Sequence, residues 1–215
     1  MNKLIASFKT VLEDELPGVA AQMEMSHVLR RSLKPAPDHA QKAGVMILLF
    51  PKSGEWHVAL TQRASKYAHD KHKGQMSFPG GSMEDSDADL ISTAKRETEE
   101  EIGIPREKIH ALGLLTSLYI PVSNFLVQPV LGYVEEEPVF VLEENEVAEL
   151  VSESVKVISS EAVRKLKNLK ISKQMTLNQV PYFDIKGKVV WGATAMMLNE
   201  FVTLYRGQLK EGSGK

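Results

Sequence analysis

The sequence predicts an α/β fold, a mixed β-sheet sandwiched between α-helices, on three observations. Two apolar runs, Val45–Phe50 and Trp56–Thr61, lie either side of a turn signal at Gly54 and read as a buried hairpin. Residues Asp87–Ile102 carry the spacing of an amphipathic helix, with Ser86 or Asp87 to cap its start and Gly103 to stop it. Beyond it strand-like segments alternate with helical ones, and Thr194–Tyr205 reads as a closing helix.

In chain order, an amphipathic helix through Leu4, Phe8, Val11 and Leu12 is expected to stop near Pro17-Gly18. The polar stretch from Arg30 to Lys42, with Pro35 and Pro37, reads as an extended linker. After the hairpin come a basic loop from Arg63 to Lys73, a short strand from Gln75 to Phe78 and a turn at Pro79-Gly80-Gly81. Past Gly103, strands are expected at Ile109–Leu118, Phe125–Val134 and Ser152–Ile158, and short helices at Glu144–Leu150 and Ser160–Leu169. Gln174–Leu177, Tyr182–Ile185 and Lys188–Val190 read as short strands. The expected organisation is an N-terminal helix and linker over 1–42, one domain over 43–206, and a flexible tail over 207–215.

Composition narrows the function. The chain has 215 residues, 43% hydrophobic and 25% charged, with a net charge of −2. No global field draws it to nucleic acid or an anionic membrane, and neither is an expected partner. Its longest apolar run, Val45 to Pro51, is far short of the roughly 20 residues that span a bilayer. The N-terminus has neither the apolar core nor the cleavage site of a signal peptide, and the C-terminal Gly-Ser-Gly-Lys matches no anchor signal. Zero cysteines exclude disulfides, thiol catalysis and thiolate metal sites, and suit a cytoplasmic protein.

The helix at 87–102 is the informative element. Eight of the 28 acids (Glu84, Asp85, Asp87, Asp89, Glu97, Glu99, Glu100, Glu101) fall between positions 84 and 101, opposed there only by Lys95 and Arg96. Acids near a helix start suit its positive end, but those at 97–101 crowd the negative end. Leu90, Ile91, Ala94, Thr98 and Ile102 form the apolar stripe. At about 100° per residue, Glu101 projects within roughly 20° of Ala94 and Glu97 about 40° further round. Two like charges stacked one turn apart repel by about 0.2–0.5 kcal/mol even when exposed, and burial raises this. Arg96 projects away from Glu101, so it does not neutralise both. A hard divalent cation with oxygen ligands can.

The segment Arg96-Glu97-Thr98-Glu99-Glu100-Glu101-Ile102-Gly103-Ile104 resembles the second half of the Nudix box, G-x5-E-x7-R-E-U-x-E-E-x-G-U with U aliphatic, save that Thr98 replaces an aliphatic residue. In the first half, Asp87 stands for Glu and eight residues, not seven, separate it from Arg96. That departure, the stretch Leu60-Thr61-Gln62-Arg63 and the stretch His72-Lys73-Gly74-Gln75-Met76-Ser77-Phe78-Pro79-Gly80-Gly81 are similar to the coenzyme A pyrophosphatase branch. Asn124–Val130, Glu146–Glu149 and Trp191–Thr194 look like further landmarks, so the resemblance spans about 43–206. Asp70 departs from it, standing where the branch often has Arg.

The resemblance implies a Nudix fold with a loop–helix–loop catalytic motif and a Mg²⁺- or Mn²⁺-dependent pyrophosphatase. It implies hydrolysis of coenzyme A or its derivatives to 3′,5′-ADP and 4′-phosphopantetheine. Metal ligands would be Glu97 and Glu101, with Glu100 assisting and the Gly81 carbonyl as a further ligand. Glycine at 80 and 81 lets a backbone carbonyl approach an ion closely. Arg96 would orient a box glutamate. We assign the general base to Glu100, with Glu146 as its rival. Arg63, Lys71 and Lys73, with Lys66, His69 and His72 beside them, are candidates for the substrate phosphates, next to Gly80 and Gly81. His27, His39, His57 and His110 read as structural, and Trp191 as core more than as a stacking platform. The expected partner is a small nucleotide substrate, and a homodimer stays open. The alternatives are a Nudix hydrolase acting on ADP-ribose or a dinucleotide, and a non-catalytic Nudix-fold binding module. A proton-transfer isomerase on a related fold would call for a Cys that this chain lacks.

Overall fold

The apolar run at Val45–Phe50 is the middle of a longer strand, β1 (Gln41–Lys52). Ile47 and Leu49 point to one side of it and Met46, Leu48 and Phe50 to the other, and all five are fully buried. A strand covered on both faces has no polar side to alternate with, which is why its sequence is uniformly apolar. The computed structural model describes residues 2–28, 35–64, 74–172 and 174–212.

Two short N-terminal helices, α1 (Asn2–Val11) and α2 (Gly18–Glu24), precede β1. Then follow β2 (Glu55–Arg63), β3 (Met76–Ser77), β4 (Gly80–Ser82), α3 (Leu90–Ile102), β5 (His110–Leu114), β6 (Leu118–Ile120) and β7 (Phe125–Tyr133). The chain ends with β8 (Val147–Ser154), α4 (Val155–Ile158), β9 (Arg164–Lys170), β10 (Thr176–Ile185), β11 (Lys188–Trp191) and α5 (Gly192–Gly212). The main sheet has eight strands along the path β3-β2-β1-β7-β5, with β4 on β1, β6 on β7 and β8 on β2. It is mixed: β1 runs parallel to β7, from Gln41 beside Phe125 to Leu49 beside Tyr133, and antiparallel to β2 and β4. Strands β11-β10-β9 form a separate antiparallel sheet.

Each face of the main sheet has its own core. On one face Ile47, Leu49, Val58 and Leu60 pack with Phe8 of α1, with Phe183 and Val190 of the small sheet, and with Met196, Phe201 and Val202 of α5. On the other, Met46, Leu48, Phe50 and Ala59 pack with Ala94 and Ile102 of α3. Burying a side chain such as Phe8 contributes about 1.5–3 kcal/mol, so α1 is anchored into the same core as the domain expected over 43–206. A polar tie reinforces this: Gln22 of α2 donates to buried Glu200 of α5 at 2.8 Å, and Glu200 accepts the Thr116 N–H at 3.1 Å.

Several segments depart from expectation. The first helix already ends at Val11, short of Pro17-Gly18, and Pro17 instead takes the N-cap position of a second helix, α2. The helix expected at Glu144–Leu150 is instead the start of β8, which pairs with β2 from His57–Ser154 to Arg63–Val147. Its helix-forming Glu, Ala and Leu yield to a continuous ladder and to burial of Val147 and Val151. The strand expected at Ser152–Ile158 ends at Ser154, whose hydroxyl accepts the Val157 N–H and starts α4. Ser160–Leu169, expected as a helix, enters β9, paired with β10 through Arg164–Phe183 and Tyr182–Lys165. Ile109–Leu118 divides into β5 and β6, because Gln128 and Glu200 capture Leu115 and Thr116 between them. Helix α5 continues past Tyr205 to Gly212, through residues that read as tail. Trp191 is half-buried opposite Tyr182, and neither is part of the two cores among the described residues.

Candidate functional site

Helix α3 is set by local chemistry at both ends. Asp89, not Ser86 or Asp87, is its N-cap: its carboxylate accepts from the Ser92 N–H at 2.7 Å. Gly103 closes it at φ 72°, in the left-handed region, and donates its N–H to the Glu99 carbonyl at 2.9 Å. Thr98 sits where the box has an aliphatic residue. It is fully buried, and its hydroxyl is satisfied within the helix by the Ala94 carbonyl at 2.6 Å.

Asp87, freed from capping, turns inward to Arg96. The guanidinium donates from Nε and Nη2 to the two Asp87 oxygens at 3.0 and 2.9 Å. Nη2 also reaches the Ser82 carbonyl at 3.0 Å, while Nη1 donates to Glu97 at 2.8 Å and Glu100 at 2.9 Å. Those bonds match the five donors of an arginine. Arg96 is 6% exposed, and burial with so complete a set of acceptors holds its charge in place. Asp87 also accepts the Thr93 hydroxyl and the Glu84 N–H, and the Arg96 guanidinium holds its carboxyl far below the usual carboxylate range. The extra residue before Arg96 is thus accommodated, with the shorter Asp still making a two-pronged contact. On sequence alone, Asp87 is a cap candidate and the stand-in for the first Glu of the box. Its pairing with Arg96 depends on the fold of the 82–89 loop, for which the sequence has no signal.

Glu97 and Glu101 lie together on the inner side, as the helical phase predicts. The Glu97 carboxyl occupies the space in front of Gly81, where a Cβ would stand 2.5 Å from its carbon. Burial raises its pKa, against the pull of Arg96. Glu101 is 7% exposed and its Oε2 has no hydrogen-bond partner. Burial first, then the nearby Glu97 and Glu146, push its pKa up to about 8, and Arg63 and the Gly80 N–H oppose the rise. Glu100 is half-exposed and turned to Arg96, and Glu99 pairs outward with Arg106.

The predicted residues thus divide. Glu97, Glu101, Gly80, Gly81 and Arg96 come together; Arg63, the last residue of β2, is close enough for its charge to act on Glu101; and Glu146 joins them from the segment before β8. Lys71 and Lys73, with Lys66, His69 and His72, lie outside the described residues. Among the described residues, no three His, Asp or Glu side chains converge as ligands on one point, and Glu100 bonds to Arg96. A hard cation still fits the place. An unpartnered buried carboxylate oxygen, a second carboxylate one turn away and a glycine with no side chain in between are oxygen donors suited to Mg²⁺ or Mn²⁺. A cavity of about 700 Å³ is lined by Lys42, Ser82, Met83, Glu84 and Asp87 among others. No helix among the described residues is long and apolar enough to cross a membrane.

A family model described as the NUDIX domain matches residues 40–177. An uncharacterized Nudix hydrolase NudL of Klebsiella aerogenes is 36% identical over 99 residues, 46% of this chain and 80% of the relative. Its counterpart in Citrobacter koseri is 44% identical over 75 residues, 35% of this chain and 38% of the relative. The match thus spans well under half of one curated relative and most of the other. Among solved structures, a Nudix hydrolase from M. smegmatis, RenU, superposes with a TM-score of 0.50 at 16% identity, over 82% of this chain and 88% of that one. With a sandwich of the same fold, the family model over its core and the paired glutamates of α3, the chain belongs to the Nudix family of hydrolases.

Proposed function

We propose that this chain hydrolyses the diphosphate linkage of coenzyme A or its derivatives, yielding 3′,5′-ADP and 4′-phosphopantetheine, with Mg²⁺ or Mn²⁺ as cofactor. The observation that carries the hydrolase reading is Glu101, a buried carboxyl beside the Gly80 N–H with one unpartnered oxygen, stacked on Glu97, which faces Gly81. Such a pair makes physical sense as the holder of a cation and little sense without one. The coenzyme A assignment is supported by the sequence likeness of 60–63 and 72–81 to that pyrophosphatase branch.

Glu97, Glu101 and the Gly81 carbonyl would hold the ion, with Glu100 available to assist. What Mg²⁺ or Mn²⁺ supplies there, when bound, is charge neutralisation on two phosphates and a more acidic water. Arg63 presents a fixed positive charge for a phosphate oxygen, and Arg96 fixes the Glu97 and Glu100 carboxylates. Water attacks one phosphorus, the bond to the bridging oxygen breaks, and a carboxylate takes the water's proton. We assign that proton to Glu100, beside Arg96. Glu146 is the rival, favoured by the action of its charge on both Glu97 and Glu101. Comparing Glu100→Gln with Glu146→Gln separates them, since only loss of the base removes the acid-side limb of the pH–kcat profile, where activity falls as the base is protonated.

The test is a metal-supplemented activity screen over coenzyme A, dephospho-coenzyme A, ADP-ribose and dinucleotides, with products identified by mass spectrometry. Formation of 3′,5′-ADP and 4′-phosphopantetheine, with coenzyme A at the head of the panel, is expected. Preference for ADP-ribose or a dinucleotide would replace the substrate while leaving the site, and no turnover on any diphosphate would favour a binding module.

A further inference from the structure

The candidate site meets the small sheet at the end of β2. Up to Gln62, β2 pairs with β8 in regular register, Gln62 opposite Glu149; then the register shifts and Arg63 falls opposite Val147. Past the shift, the Ala64 N–H donates to the Glu146 carbonyl at 2.7 Å. An irregularity of this kind bends a strand and re-aims the side chains beyond it. Arg63 and Glu146, the two residues at its far edge, are those whose charges act on Glu101 from outside α3.

On the other side of the sheet, Gln62 and Glu149 are direct cross-strand partners, so their side chains share a face. Lys188, the first residue of β11, bridges them: its Nζ donates to Gln62 Oε1 at 3.0 Å and to Glu149 Oε2 at 2.6 Å. Gln62 passes the contact on, donating from Nε2 to the Gly74 carbonyl at 3.1 Å. Gly74 and Gln75 are in turn tied to Arg63 by the bonds Gly74 N–H to Arg63 carbonyl and Arg63 N–H to Gln75 carbonyl, both 2.9 Å. Among the described residues, β8 and the 74–75 segment that flank Arg63 are thus both linked to this one ammonium, β8 directly through Glu149 and the 74–75 segment through Gln62.

We propose that Lys188 is a positioning residue, which clamps the last regular pair of β2 and β8 and so sets the irregular step that aims Arg63 and Glu146 at the glutamates of α3. Half-exposed ion pairs contribute little to global stability, and the Lys188 and Glu149 side chains are 29% and 49% exposed. The clamp matters through geometry. Its kinetic consequence rests on the hydrolase reading, whereas its structural consequence does not.

The experiment compares Lys188→Met and Lys188→Arg with the wild-type chain. Amide hydrogen exchange at Ala64, followed by NMR, needs no substrate and reports the bond to Glu146 directly. Turnover is measured with coenzyme A and Mn²⁺, or with ADP-ribose if coenzyme A is not cleaved, so that a wrong substrate and a wrong clamp give different results. Lys188→Met should speed Ala64 exchange by roughly tenfold or more through local opening, with an unchanged Tm. It should lower kcat/KM on the order of 10-fold, given that about 1 Å of misplacement costs up to roughly 100-fold. Lys188→Arg, which keeps the charge and the donors, should recover most of both. In an Arg63→Ala, Glu146→Gln background, Lys188→Met should have no further kinetic effect, because its route to the site is gone. Wild-type Ala64 exchange in Lys188→Met would overturn the proposal, as would wild-type kcat/KM. A Lys188→Arg variant as impaired as Lys188→Met, with a lowered Tm in both, would overturn it too, by showing a prop for the small sheet and nothing more.

Discussion

Gly81→Ala is the sharpest single perturbation of the site. Gly81 has no need of the left-handed backbone region, so alanine is permitted there by the main chain. The new methyl, however, would lie 2.5 Å from the Glu97 carboxyl carbon and 2.5–2.6 Å from its two oxygens. Unstrained contacts lie at about 3.5–4.0 Å between carbons, so the carboxylate must move by roughly 1 Å. It cannot do so freely, because Arg96 Nη1 holds it at 2.8 Å and Arg96 itself is buried and fully bonded. Overpacking of this order costs about 1–3 kcal/mol, and the strain falls on Glu97 and not on the core. A positioned group displaced by about 1 Å loses on the order of 100-fold in rate. The assay is kcat/KM against Mn²⁺ concentration, alongside a thermal melt. Gly44→Ala is the contrasting control, since there the methyl meets the Leu90 carbonyl of α3 at 2.5 Å and should lower Tm more than Gly81→Ala does. Wild-type kcat/KM and metal dependence in a folded Gly81→Ala chain would refute the placement of Glu97 in the reaction.

Glu101→Gln keeps the volume and removes a buried charge; turnover should fall by orders of magnitude, while melting of the chelator-treated protein stays level or rises, and an active variant would dismiss the assignment. Asp87→Asn leaves the buried Arg96 without its main counter-charge, and breaking such a pair costs about 3–5 kcal/mol, readable by denaturant titration. The Asp87 carboxyl has its folded pKa below its unfolded one, so its contribution is present above about pH 4 and lost as pH falls below. The wild-type advantage over Asp87→Asn should therefore shrink in acid, and a gap independent of pH would show that the ion pair is not its source. Asp89→Ala removes the α3 cap, for about 1 kcal/mol or roughly 2–4 °C of Tm, with little change in kcat if the cap is purely structural.

Much of the site was legible in the chain because helical phase is a local property. Once 87–102 is a helix, Glu97 and Glu101 must share a face with Ala94, and only the number of residues per turn is needed to say so. Gly103 and the Gly80-Gly81 pair were legible for a similar reason, being residues that the backbone demands wherever it turns left-handed or passes close to another group. The doubly buried β1 declared itself through an unbroken apolar run, which few solvent-facing elements tolerate. Tertiary pairing decided the rest. Whether Val147–Leu150 and Arg164–Leu169 became strands depended on β2 and β10 lying beside them, and their own helix-forming residues argued the other way. Asp87 became the partner of Arg96, and Lys188 the neighbour of Gln62 and Glu149, through contacts between residues 9, 126 and 39 positions apart. Periodicity carries no information about such distances along the chain, since long-range contacts form only when several elements have packed and their combined burial offsets the entropy of closing the loops between them.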